Sequence, residues 1–146
     1  MRLAAAGAAA LCLLIGSVSG CGDEEETFTA SEIVSELNRE GAGIELGERL
    51  QSGAADVRTF GLELTGPGSQ TGGEHADTAH AHSGGSLAEF PDADAAGREL
   101  ANCRRAAVAS GDIYCFLAAN TLIIVGGEVS RPQLTALTAA VLALDR

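Results

Sequence analysis

Tryptophan and lysine are absent from this 146-residue chain, tyrosine and methionine occur once each, and phenylalanine occurs four times. With so few aromatics, Leu, Ile, Val and Ala must fill any core. Positive charge is also scarce: nine arginines stand against 20 acids. A surface that negative stays soluble and repels phosphate backbones and anionic head groups, which argues against nucleic acid as a partner. No apolar stretch approaches the roughly 20 residues that cross a bilayer. The longest near the start, Leu3 to Ile15, runs about 13 residues, well short of that length. Signatures of chemistry are missing as well. Gly66-Pro67-Gly68-Ser69 is followed by no helical pattern, so it reads as turn chemistry rather than a phosphate loop or nucleophile elbow. No internal repeat is visible.

What is present begins at the N-terminus. Met1 and Arg2, the uncharged run Leu3 to Ile15 and the small residues after it follow the order of an export signal. Val18-Ser19-Gly20-Cys21 resembles the lipobox of bacterial lipoproteins, a branched apolar residue and two small residues before a cysteine. The resemblance implies that residues 1–20 are a signal peptide and that Cys21 is acylated, with palmitate-type chains, and becomes the first residue. It also implies a location on the extracytoplasmic face of the cell membrane, where the lipid makes the membrane itself a partner. Plain secretion, with Cys21 a thiol, and an uncleaved anchor are the alternatives. Removal of residues 1–20 takes Arg2 and none of the acids, so eight arginines minus 20 acids leaves −12. Residues 21–28 then form an acidic tether in which Asp23-Glu24-Glu25-Glu26 repel one another and stay solvated.

Cysteine usage fits export. Cys12 leaves with the signal and Cys21 takes lipid, so Cys103 and Cys115 remain, and outside the cytoplasm an even remainder reads as one disulfide. Two buried, reduced thiols are the alternative, and a metal-binding pair is disfavoured because no histidine lies nearby in sequence.

From Thr29 onward the patterning predicts one domain over 29–145. Thr29 and Glu32 form a capping box, Phe28 and Ile33 a hydrophobic staple, and Gly41 a stop, which predicts a helix over 30–40. Alternation predicts strands at Ile44-Glu45-Leu46 and at Phe60 to Leu64. A glycine-, serine- and histidine-rich loop is expected over 66–86, then a short strand over 87–90 ended by Pro91. Asp92 caps a second helix through about Ala109, with Ala96, Leu100, Cys103 and Ala107 on its buried stripe. Ile113 to Leu117 and Thr121 to Val125 read as a hairpin. Ser130 with Gln133 caps a last helix lined by Leu134, Leu137, Val141 and Leu144. The order αββ, loop, βαββα predicts a two-layer α+β fold, helices on one face of a largely antiparallel sheet. As a whole, residues 29–145 resemble small actinobacterial-type lipoproteins that share the leading helix, a strand ending in Phe90-Pro91-Asp92 and an Asn, here Asn120, ahead of an apolar strand. Those relatives carry no activity to transfer.

All three histidines, His75, His80 and His82, fall in one octet beside Glu74 and Asp77. Neutral imidazoles with carboxylates suit Zn or Cu, and the passage resembles in miniature the acidic His-rich loops of zinc-binding lipoproteins. A solvated loop is the plainer reading and weak metal capture the sharper one. A catalytic metal would want ligands held on strands or helices. Glu89, Asp92, Asp94 and Glu99 lack the spacing of a calcium loop and read as a cap and a solvated helix start. Arg104-Arg105 suits the end of a helix. The expectation is a non-enzymatic, membrane-anchored envelope protein, a binding or accessory module that acts on another envelope protein and needs no cofactor. Zn or Cu sequestration or delivery is the alternative, and an envelope hydrolase with convergent catalytic groups a third class.

Overall fold

The computed structural model describes residues 27–65, 84–126 and 129–145. Residues 1–20, Cys21, the acidic run 23–26, and Glu74, Asp77, His75, His80 and His82 lie outside the described residues.

Thr29 opens α1 (Ala30–Arg39) with both halves of its capping box in place. The Thr29 N–H donates to Glu32 Oε2 at 2.8 Å, and Thr29 Oγ1 accepts from the Glu32 N–H at 3.3 Å. Phe28 packs against the same core as Ile33, and Gly41, at φ +90, turns the chain out of the helix. Two strands follow, β1 (Ile44–Leu50) and β2 (Arg58–Leu64), and then β3 (Gly84–Glu89). Asp92 caps α2 (Ala93–Ser110), accepting from the Ala95 N–H at 2.6 Å, and Gly111 ends it in the left-handed conformation. Strands β4 (Ile113–Ala118) and β5 (Thr121–Gly126) form a hairpin, and Ser130 with Gln133 boxes the start of α3 (Arg131–Leu144).

The strands make one sheet in the order β1-β2-β3-β5-β4, antiparallel at every pairing. The α+β class, the succession of elements and the antiparallel sheet match the sequence reading. Two details differ. Gly84 to Ser86, expected in the loop 66–86, belong to β3. A Cβ on Gly84 would run into the Leu62 carbonyl and one on Gly85 into the Ile124 carbonyl, so residues that look like loop are what allow β3 to lie between its neighbours. Phe90 stands just beyond the strand.

The second difference is in the layering. Directly paired residues of an antiparallel ladder share a face. Ile44, Leu62, Leu87, Ile123 and Val125 therefore line one side, where they pack in one cluster with Ile33, Val34 and Leu37 of α1 and Leu137, Ala140 and Val141 of α3. Cys115 and Leu117, paired with Ile124 and Leu122, line the other. There α2 packs on β4 and β5, with Ala96 and Cys103 buried and Leu100 half-buried on its stripe. So α1 and α3 cover one face as expected, and α2 covers half of the opposite one. The cause is legible in β5: Leu122-Ile123-Ile124-Val125 is apolar on both sides, and a strand apolar on both sides needs cover on both. On β1 and β2 the same side carries exposed Glu45 and Glu63, and no described helix lies over it.

A disulfide joins Cys103 of α2 to Cys115 of β4, with their Cα atoms 6.2 Å apart. By loop-closure entropy it contributes about 3 kcal/mol. It fastens the only helix on that face, among the described residues, to the sheet.

The two hydrogen bonds from Thr29, backbone first, hold the Glu32 carboxyl below its ordinary value of 4.5, with desolvation opposing weakly. A carboxyl whose folded pKa is lowered contributes stability above its unfolded pKa and loses it as pH falls through the folded value. Stability should therefore decline below about pH 4.5 in the native chain and decline less steeply in Glu32→Gln, measured as urea midpoints from pH 6 down to pH 3.

Candidate functional site

Three of the four buried polar residues described, Glu89, Asn120 and Thr121, gather at one end of the sheet, and the fourth, Gln133, boxes the start of α3. Asn120, 2% exposed in the β4–β5 turn, accepts from the Phe28 N–H at 2.9 Å and donates to the carbonyls of Phe28 at 3.1 Å and Phe90 at 2.8 Å. Its own carbonyl accepts from the Phe90 N–H at 2.9 Å. Ala119 beside it takes φ 50, the twisted turn that a two-residue hairpin requires. One amide thus ties the segment leading into α1, the end of β3 and the hairpin turn. Glu89, 8% exposed, does a second joining: one carboxylate oxygen accepts from the Ala30 N–H at 3.0 Å, at the positive end of α1, and the other pairs with Arg58 of β2. Next to them Thr121, opposite Glu89 in the ladder, keeps its Oγ1 buried without a partner.

The acidic set Glu89, Asp92, Asp94 and Glu99 does not converge. Glu89 faces α1, Asp92 caps α2, Asp94 lies exposed in the first turn of α2, and Glu99 bonds Asn102 one turn along. Each of these placements supports backbone or helix geometry. Among the described residues no group of three or more His, Cys, Asp or Glu could hold a metal ion. The metal-ligand candidates His75, His80, His82, Glu74 and Asp77, and the lipidation candidate Cys21, lie outside the described residues, so the folded part neither assembles nor disperses them.

A different feature emerges where β4 forms a free edge of the sheet among the described residues. Along it runs an open groove of about 440 Å³, walled by Arg104, Ala107 and Val108 of α2 on one side and Leu134 and Thr138 of α3 on the other, with Ile113 to Phe116 as its floor. Its lining is apolar except for Arg104 and the Thr138 and Tyr114 hydroxyls. The Thr138 hydroxyl is engaged, donating to the Leu134 carbonyl at 2.7 Å. Arg104 is exposed, and among the described residues no carboxylate pairs with it. Val108, 88% exposed, and Tyr114, 39% exposed, are apolar surface left uncovered at the rim. Sequence reasoning placed Arg104 only as a complement to the helix dipole and did not see the edge. The available signal was the absence of any charge in Ile113-Tyr114-Cys115-Phe116-Leu117-Ala118, beside Glu45, Glu48 and Arg49 in β1 at the opposite edge.

Replacing Asn120 by Ala strands the Phe28 N–H and two carbonyls near the core, and should cost about 2–4 kcal/mol in denaturant unfolding. Amide exchange at Phe28 and Ala30 should rise more than at Leu137, which lies away from the break. Scans of protein-family models, of curated proteins and of solved structures each returned no match for this chain.

Proposed function

We propose that this protein is a lipid-anchored, extracytoplasmic component of the bacterial cell envelope whose folded part is a binding module and not an enzyme. The single observation that carries the reading is the Cys103–Cys115 disulfide, a bond that persists in oxidising compartments and is rare where glutathione keeps thiols reduced. It agrees with the export pattern of residues 1–20 and the lipobox-like Val18-Ser19-Gly20-Cys21. The binding-module half of the reading is supported by the accounting of polar groups. Glu89, Asp92 and Asn120 are each engaged with backbone, while an apolar groove stands open at the sheet edge among the described residues.

Intact mass of the full chain extracted from membranes with detergent should show loss of residues 1–20, addition of acyl chains at Cys21, and a mass lower by two hydrogens for the disulfide. The Cys21→Ala variant should leave the membrane fraction. An unmodified chain beginning at Met1 in an aqueous cytosolic fraction overturns the proposal.

The His75 to His82 octet with Glu74 and Asp77 supports a second reading, Zn or Cu capture. Calorimetric titration of the full chain should then show binding below about 1 mM that vanishes when all three histidines become Ala. No heat in the native chain removes this reading.

A further inference from the structure

The two edges of the sheet are built differently. Strand β1 carries Glu45, Glu48 and Arg49 and slips register between Leu46 and Arg49, and both charge and irregularity blunt an edge against further pairing. Strand β4 has none of these devices. Its six residues are uncharged, contain no proline, and pair with β5 without a break. In an antiparallel ladder alternate residues turn their N–H and C=O toward the neighbour, so half of β4 directs these groups outward. The groove walls of α2 and α3 rise on either side of that unpaired row. A slot with a hydrogen-bonding floor and apolar walls is the shape that receives an extended strand.

Charge decides what kind of strand. Among the described residues Arg104 is the one ionised side chain lining the groove, it is positive in a chain dominated by acids, and no described carboxylate neutralises it. A second copy of this chain would bring its own Arg104 to the junction, whereas an acidic segment would bring a counter-charge. We propose that the open edge of β4 takes an extended peptide by β-strand addition, the peptide presenting apolar side chains on alternate positions to the groove walls and a carboxylate to Arg104. Val108, standing clear of the fold at the rim, is the apolar wall such a peptide covers. This inference rests on the binding-module half of the proposed function and is independent of the lipid.

The test uses the full chain in detergent and the synthetic probe acetyl-Val-Thr-Val-Glu-Val-Thr-Val-amide, with a sister probe carrying Lys in place of Glu. The acidic probe should bind, and hydrogen exchange should show new protection confined to alternate amides of Ile113–Ala118. Arg104→Glu should weaken the acidic probe by about tenfold or more and strengthen the Lys probe, a reversal that general damage to the fold would not produce. The idea is overturned by any of three results: no binding up to about 1 mM, protection elsewhere than β4, or a dimer in sedimentation that holds the β4 amides protected without probe. Failure here leaves the mass measurement of the anchor untouched, and an unlipidated chain leaves the β4 result standing, so the two ideas fall separately.

Discussion

Asn120 is the point on which the described structure depends. Its side chain, itself buried, reaches 92 residues back to both backbone groups of Phe28 and 30 residues back to the carbonyl of Phe90, and all three bonds are partly shielded from water. Buried backbone groups must find partners, and here one amide supplies three of them. The consequence is geometric. The residue before α1, the end of β3 and the β4–β5 turn are held together, so the capping box at Thr29 forms where the Glu89 carboxylate can receive the Ala30 N–H. Neither Asp nor Leu would serve equally: Asp has no N–H to donate to the carbonyls, and Leu has neither donor nor acceptor.

The second constraint is that the hairpin is apolar on both sides. Ile123 and Val125 go to the core under α1 and α3, and Leu122 and Ile124 go to the face under α2. With β5 in the interior of the sheet and β4 on the edge, α1 and α3 cover one face and α2 the other, and the disulfide fixes the helix that has the smaller core beneath it. The same arrangement creates the groove. Helices on both faces of an edge strand leave the strand's own rim as a trough between them, so the feature that could bind a partner is a by-product of how the hairpin is buried.

Much of this was written locally in the chain. Both capping boxes, the stop at Gly41 and the stripe through Ala96, Leu100 and Cys103 are short-range signals, and the structure places each where propensity puts it. What was not legible depended on distant neighbours. Gly84-Gly85 resembles loop until the carbonyls of Leu62 and Ile124 are seen to occupy the space a Cβ would need. The bulge after Leu46 breaks the alternation of β1, which is why the strand seemed to end four residues early. Arg58 and Glu89 lie 31 residues apart with nothing local to link them, and the role of Asn120 needs three segments at once. The edge position of β4 follows from sheet order, which hydrophobic pattern alone does not encode.

Sheet order also gives the molecule a direction. Phe28 is fastened beside Asn120, at the end of the sheet that carries Arg58 and Glu89. Thr65 and Gly84, which bracket the segment with the three histidines, sit at the other end, where Glu63 pairs with Gly84. At about 3.3 Å per residue the length of β3 separates the two ends by roughly 17 Å. In the lipid-anchored reading proposed above, only a few residues would separate the lipid from Phe28, which would place the Asn120 end nearest the membrane and Thr65 at the far end. Strand β4 runs between these ends along one flank, so under that reading its edge would face sideways, along the membrane plane. A strand added to β4, as proposed above, would then extend the sheet laterally without displacing the proposed anchor.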